Sequence, residues 1–150
     1  VPQSLANILL HIVFSTKDRA PLIPAEAASG LYEYLAAISR AYACPAHEVG
    51  GTEDHVHICC SLARTQTCAN LVEETKKGSS KWMKARTRPV MGFAWQNGYG
   101  AFSIGESQLS AVKDYIRHQP EHHAAVSFED ELRELLRRHG ITYDERYLWD

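Results

Sequence analysis

Long hydrophobic runs are missing from this chain. The apolar stretch Ile8–Phe14 is far too short to span a bilayer, and it lacks the basic start and small-residue cleavage site of a signal peptide. A cytoplasmic protein is therefore expected. Cysteine pairs at metal-binding spacing are missing too: Cys44, Cys59, Cys60 and Cys68 contain no C-x-x-C. Adjacent Cys59 and Cys60 on a strand would point to opposite faces, so together they do not chelate one ion. They read as small buried apolar residues in a reducing compartment. Net positive charge is also absent. At −2 the chain as a whole is no electrostatic binder of nucleic acid, and any such binding needs a local patch. Repeats, linkers and low-complexity tracts are absent, which leaves one domain over residues 1–150. Its 45% hydrophobic and 23% charged residues suit a soluble protein with a core of two or three layers.

What is present is segregated charge. Arg64, Lys76, Lys77, Lys81, Lys84, Arg86 and Arg88 stand against Glu73 and Glu74, a net of +5 between residues 64 and 88. Residues 129–150 carry seven acids against four arginines, a net of −3.

Periodicity organises the rest. Asn7 to Ser15 alternates as a buried strand, with Leu9, His11 and Val13 on one face and Ile8, Leu10, Ile12 and Phe14 on the other. Ala25 to Ala43 is expected as a helix with Leu31, Tyr34, Leu35, Ile38 and Tyr42 inward. Glu48 to Gly51 and Asp54 to Leu62 are expected as strands. A basic helix follows over Thr67–Lys84, with Leu71, Val72, Thr75 and Trp82 as its inner stripe and Gly78 as its weak point. Phe93 to Ile104 reads as a hairpin or bent strand. A third helix should run from an N-cap at Ser107 to Gln119, where Pro120 breaks or kinks it. A capping-box pattern at Ser127 starts a last helix, which stops at Gly140. The order strand–helix–strand–strand–helix–strand is that of an α+β, ferredoxin-like (RRM-like) antiparallel sheet with helices on one face, here followed by C-terminal helices that carry Tyr115. The other face is left for a site or a partner.

Two segments sixty residues apart carry the chemistry. In Asp54-His55-Val56-His57-Ile58, strand alternation puts His55 and His57 on one face, about 6–7 Å apart at the backbone. That spacing suits clasping one metal ion, and equally suits two hydrogen-bonded histidines. Asp54 is either an outer partner orienting an imidazole or a turn residue. In Tyr115-Ile116-Arg117-His118-Gln119, helical spacing presents Tyr115 and Gln119 together, with Tyr115 at the border of the stripe Leu109, Val112 and Ile116. Gln119 is a third ligand through its amide oxygen or a plain helix-end polar residue. A phenol of ordinary pKa is only about 0.2–0.3% ionised near pH 7.5, so a metal that neutralises a phosphate and stabilises a departing oxygen would complement a tyrosine nucleophile. A nitrogen-rich site binds Mn²⁺ more tightly than Mg²⁺, although Mg²⁺ is the more abundant.

Four stretches together resemble the single-tyrosine HUH transposases of small bacterial insertion sequences: Leu9-Leu10-His11-Ile12-Val13-Phe14-Ser15-Thr16-Lys17, Asp54-His55-Val56-His57, Trp95 through Ser103, and Tyr115 through His123. The resemblance implies a DNA transposase that acts as a homodimer with a shared active site, the tyrosine helix being able to reach the partner's site, with cis or trans placement of Tyr115 left open. It implies single-stranded DNA with hairpins as substrate, and cleavage to a 5′-phosphotyrosine and a free 3′-hydroxyl. Carried onto this sequence, His55, His57 and Gln119 would hold Mg²⁺ or Mn²⁺ and Tyr115 would be the nucleophile, at the nucleoid. His122 and His123 match a family pattern and are expected to pack or hydrogen-bond. Pro120 departs from the pattern, and a kink there would displace Gln119. Near-minimal size leaves room for a domesticated, repeat-associated nickase acting as a monomer.

Lys76, Lys77, Lys81, Lys84, Arg86 and Arg88 are the expected phosphate contacts. Trp82, Trp95 and Tyr99 are either stacking residues for bases or core residues. Three rivals remain at this stage. A replication-initiator or relaxase nickase would share the His-x-His core but carry larger domains. A non-catalytic RNA-recognition-like module would bind without metal and place aromatics on its central strands. A structural metal domain would need a closed four-ligand site.

Overall fold

Alternating side chains and short turns make four antiparallel strands of the predicted order. A computed structural model describes residues 2–86 and 92–150. The elements are β1 (Leu9–Ser15), α1 (Ala25–Ala41), β2 (Ala46–Gly51), β3 (His55–Ser61), α2 (Cys68–Arg86), β4 (Gly100–Ile104), α3 (Leu109–Arg117), α4 (Gln119–His123) and α5 (Phe128–Arg138). The sheet runs β2-β3-β1-β4, the ferredoxin-like order. Register pairs Val13 with His57 and Ser15 with His55 on neighbouring central strands.

One face carries Ile12, Phe14, Val56, Ile58 and Cys60 against Leu31 and Leu35 of α1 and Leu71, Val72 and Met83 of α2. Burial of these side chains is the main stabilising term, about 1.5–3 kcal/mol for each large one. Trp82, expected in the inner stripe of α2, is half-buried; it stacks on Tyr34, and Met83 fills the core instead. Trp95 is a core residue whose indole N–H donates to Ser79 Oγ at 3.0 Å. Gly78 is a close-approach point: a Cβ there would lie 2.7 Å from Ile38 Cδ1 of α1. The cysteines are free thiols, three of them buried. The Phe93–Ile104 run gives one strand, β4, preceded by an isolated bridge between Trp95 and Thr16.

The second face of the sheet is covered too. Val13 and Phe102 pack against Phe128, Leu132 and Leu136 of α5, while α3 crosses β2 and β3. Ser107 does not cap α3. It lies in a 3-10 turn, Glu106–Gln108, whose start is held by Gly105 N–H donating to Gln108 Oε1 at 2.8 Å. The break near Pro120 comes one residue early, at His118 with ψ 23°, so Gln119 begins α4 and Pro120 sits in its first turn. Proline is well tolerated there because its missing N–H is unpaired anyway. Ser127 caps α5 as expected, accepting from Asp130 N–H, and Gly140 ends it at φ +65°. No helix among the described residues is long and apolar enough to cross a membrane.

Candidate active site

The site lies between the second face of the sheet and helices α3–α5. Gly50 and Gly51 bring its walls together for steric reasons. A Cβ on Gly51 would collide with the His55 carbonyl across the tight β2–β3 turn. A Cβ on Gly50 would sit 2.7 Å from the Ile116 carbonyl, so the glycine lets α3 lie directly on the sheet edge.

His55 and His57 are fully buried, with ring centroids 5.0 Å apart. His55 Nδ1 is 2.8 Å from Asp54 Oδ1 and 3.0 Å from Thr52 Oγ1, while its Nε2 is 3.0 Å from Gln119 Oε1. Asp54 therefore orients the ring by the nitrogen that faces away from the site. His57 is held the same way, with Nδ1 2.7 Å from His11 Nε2 and Nε2 3.0 Å from Glu131 Oε1. Gln119 is fully buried, so the interruption before Pro120 seats this side chain rather than displacing it.

Glu131 of α5 is the hub. It is 3% exposed. The Tyr115 hydroxyl donates to its Oε2, and Gln119 Nε2 donates to the same oxygen at 3.0 Å. Its Oε1 lies 3.0 Å from His57 Nε2, 3.5 Å from His55 Nε2 and 3.1 Å from His123 Nε2. His122 Nε2 is 3.3 Å from Oε2. Sequence reasoning missed Glu131, His11 and the placement of His123. The available signals were a carboxylate on the apolar stripe Phe128, Leu132 and Leu135, and a histidine inside a strand buried on both faces.

Protonation follows the partners. Burial alone would lower His55, but its hydrogen bonds to Asp54, Glu131 and Gln119 push it up to about 9. Burial drives His57 down to about 4 against the pull of Glu131. Burial and the adjacent His57 take His11 down to about 3. Glu131, although buried, is held far below the carboxylate range by His123, His55 and His57. Burial and the Glu131 charge raise Tyr115 above the ordinary phenol value.

The donor set fits a divalent cation. His55, His57, His123 and Glu131 each offer one ligand atom, all within 4.8 Å of one another. Ligands at about 2.1 Å from an ion stand about 3.0 Å apart in an octahedron and about 3.4 Å in a tetrahedron. Beside the phenol, a cavity of 490 Å³ is lined by His11, Val112, Tyr115, Leu135, Arg138 and His139 among others.

The basic residues lie elsewhere. Lys77, Lys81, Lys84 and Arg86 are exposed on α2, which packs on the opposite face of the sheet from the histidines. Lys76 is half-buried and donates to the carbonyls of Gln96, Asn97 and Gly98 at 2.8, 3.2 and 2.6 Å; burial lowers its pKa to about 8. It braces that loop rather than presenting a free charge. Exposed Tyr99 lies beside it, the Lys76 ammonium 5.8 Å from its ring. Arg88 lies outside the described residues.

Residues 4–119 match the family described as Transposase IS200 like. No curated protein is significantly similar to the chain. Among solved structures, a candidate transposase from Deinococcus radiodurans R1 is 20% identical, over 79% of this chain and 95% of its own, with a TM-score of 0.64. A REP-associated tyrosine transposase bound to a REP hairpin is 14% identical, over 84% of this chain and 74% of its own, with a TM-score of 0.61. At these identities the two structures bear on the fold.

Proposed function

The chain belongs to the IS200-like transposase family, and from that premise we propose that it cuts and rejoins single-stranded DNA with Tyr115 as nucleophile. One observation carries the reading: the Tyr115 hydroxyl, two imidazole Nε2 atoms and the Gln119 amide converge on one buried carboxylate, although the histidines and the tyrosine stand sixty residues apart in the chain. The Tyr115 oxygen attacks a backbone phosphorus. A Tyr–O–P bond forms at the 5′ side, the P–O3′ bond breaks, and the 3′ oxygen takes up a proton from water and leaves as a hydroxyl. Glu131, already accepting from the phenol, orients its oxygen for attack, and the phenol proton passes to water as the bond to phosphorus forms. Because the phosphotyrosyl ester retains the bond energy, a second 3′-hydroxyl can displace the tyrosine and join strands without a nucleotide cofactor.

His55, His57 and Gln119 would hold the divalent ion, Mg²⁺ or Mn²⁺. Such an ion supplies charge neutralisation on the phosphate and stabilisation of the leaving oxygen. Asp54 and His11 hold the two rings with Nε2 inward, and outer partners of this kind typically account for about 10–100-fold in metal affinity. The 490 Å³ cavity beside Tyr115, with Arg138 and His139 on its wall, is the route for the phosphate. A hairpin-bearing substrate is supported by the similar fold of the REP-associated transposase, whose structure holds a REP hairpin.

Tyr115 meets the histidines of its own chain, its ring 5.8 Å from that of His57. This favours a resting site formed in cis; a homodimer with shared sites would require α3 to leave Glu131. A non-catalytic RNA-recognition-like module is disfavoured because α3–α5 cover the sheet face it would use.

Incubation with labelled hairpin-bearing single strands and Mn²⁺ should give a denaturant-resistant protein–DNA adduct that Tyr115→Phe abolishes. Tight DNA binding with no adduct on either strand would return the chain to the binding-module class.

A further inference from the structure

Two site residues fall outside residues 4–119 matched to the family: His123, at the end of α4, and Glu131, on α5. We infer that His123 and Glu131 are additional cation ligands, and that Glu131 joins the ion to the nucleophile by one carboxylate, Oε1 toward the ion and Oε2 holding the Tyr115 hydroxyl. The inference rests on the metal-dependent reading above and deepens it.

Three observations carry it. His123 is nine-tenths buried and its Nε2 points into the cradle, yet that atom makes no hydrogen bond among the described residues. It lies 3.1 Å from Glu131 Oε1 without the alignment of a donor and acceptor. Two ligand atoms that share a third centre show this separation without facing each other. A buried polar atom with no partner is destabilising, and an ion between the two atoms would satisfy both. Second, the separations from Oε1 to His57, His123 and His55, at 3.0, 3.1 and 3.5 Å, match the edges of a coordination polyhedron with about 2.1 Å bonds. Third, the two carboxylate oxygens divide their work. Oε1 faces the imidazoles of His55, His57 and His123, while Oε2 receives Tyr115 and Gln119 and has His122 beside it.

With Gln119 Oε1 3.0 Å from His55 Nε2, five protein donors surround the centre. An octahedral ion would keep one position for a phosphate oxygen. Three imidazoles select for Mn²⁺ and later transition ions over Mg²⁺, which prefers oxygen ligands and retained water. Glu131 is thereby a positioning residue for the nucleophile as well as a ligand, which couples the ion to the tyrosine helix.

Pulsed EPR on the full chain loaded with Mn²⁺ counts coordinated imidazole nitrogens directly. Three are expected, falling to two in His123→Ala; two in the unsubstituted protein would overturn the assignment of His123. Calorimetric titration with Mn²⁺ should show affinity reduced at least about 100-fold in Glu131→Gln. Circular dichroism in chelator identifies any variant that fails to fold, and Glu131→Asp then serves as the second carboxylate probe. Undiminished affinity in a folded Glu131→Gln, alongside loss in His57→Ala, would remove Glu131 from the ligand set and leave the transposase reading intact. No Mn²⁺ binding by the unsubstituted chain would overturn both.

Discussion

At the residue scale, the buried histidines differ by the company they keep. His55 has carboxylates at both ring nitrogens and is raised to about 9, whereas burial lowers His57 to about 4 and burial, with the adjacent His57, lowers His11 to about 3. The signs give opposite pH limbs for the metal-free protein. A raised folded pKa contributes stability that is complete below the unfolded value, about 6.5, and is lost as pH rises through 9. The lowered pair makes the unfolded chain bind more protons below about 6.5, so stability also falls as pH drops from there toward 4. Asp54 and Glu131, both held below their ordinary values, add to the acid limb. Melting temperature in chelator should therefore peak near neutrality and decline between about pH 7 and 9. A flat or rising curve over that interval would show that His55 is not held protonated by Asp54 and Glu131. Saturating Mn²⁺ should remove most of the alkaline decline, since the cation replaces the proton.

At the element scale, the seat of α3 decides whether the tyrosine and the histidines meet. Gly50, paired with His57 across the hairpin, is where the Ile116 carbonyl touches the sheet. Gly50→Ala would put a methyl 2.7 Å from that carbonyl, and backbone on both sides leaves no flexible group to yield. Displacing α3 should cost about 1–3 kcal/mol of stability and about tenfold to a hundredfold in strand cleavage. The His55–His57 pair on the rigid sheet should keep measurable metal affinity. A Gly50→Ala enzyme that cleaves like the parent would refute this role for the close contact. The strands and α1, α2 and α5 were legible in the sequence because their apolar spacing is strong and their ends carry ordinary signals, such as Ser127 and Gly140. The histidine pair and Tyr115 were legible as candidates from strand and helix periodicity, Asp54 from its place beside His55, and Gln119 from an i, i+4 spacing that the break at His118 interrupts. Glu131 was not. Its inward direction reads from α5 alone, but its partners come from β3, α3 and α4, and only tertiary packing brings those to one carboxylate. The stop at His118 was misplaced by one residue because proline restrains its predecessor yet also suits a helix's first turn, and here the second effect governs.

At the scale of the whole molecule, the sheet separates two kinds of surface. The cradle lies on one face under the acidic α5; exposed Lys77, Lys81 and Lys84 lie on the helix that covers the other. On the proposed reading, DNA that engages both would pass around the sheet, with phosphate contacts and chemistry on separate surfaces. Replacing Lys81 and Lys84 together with alanine should weaken hairpin binding and reduce the salt dependence by about 0.7–0.9 per lost phosphate contact, while Mn²⁺ affinity stays unchanged. An unaltered salt slope would make this helix face merely solvated. The central claim is that the phenol of Tyr115 becomes covalently linked to DNA, and peptide mapping tests it most directly. After reaction with a hairpin-bearing single strand, nuclease treatment and trypsin, cleavage after Lys113 and Arg117 releases Asp114-Tyr115-Ile116-Arg117. That tetrapeptide should carry a nucleotide through the tyrosine oxygen. A nucleotide on another residue, or DNA cleavage that leaves every peptide unmodified, would contradict the account.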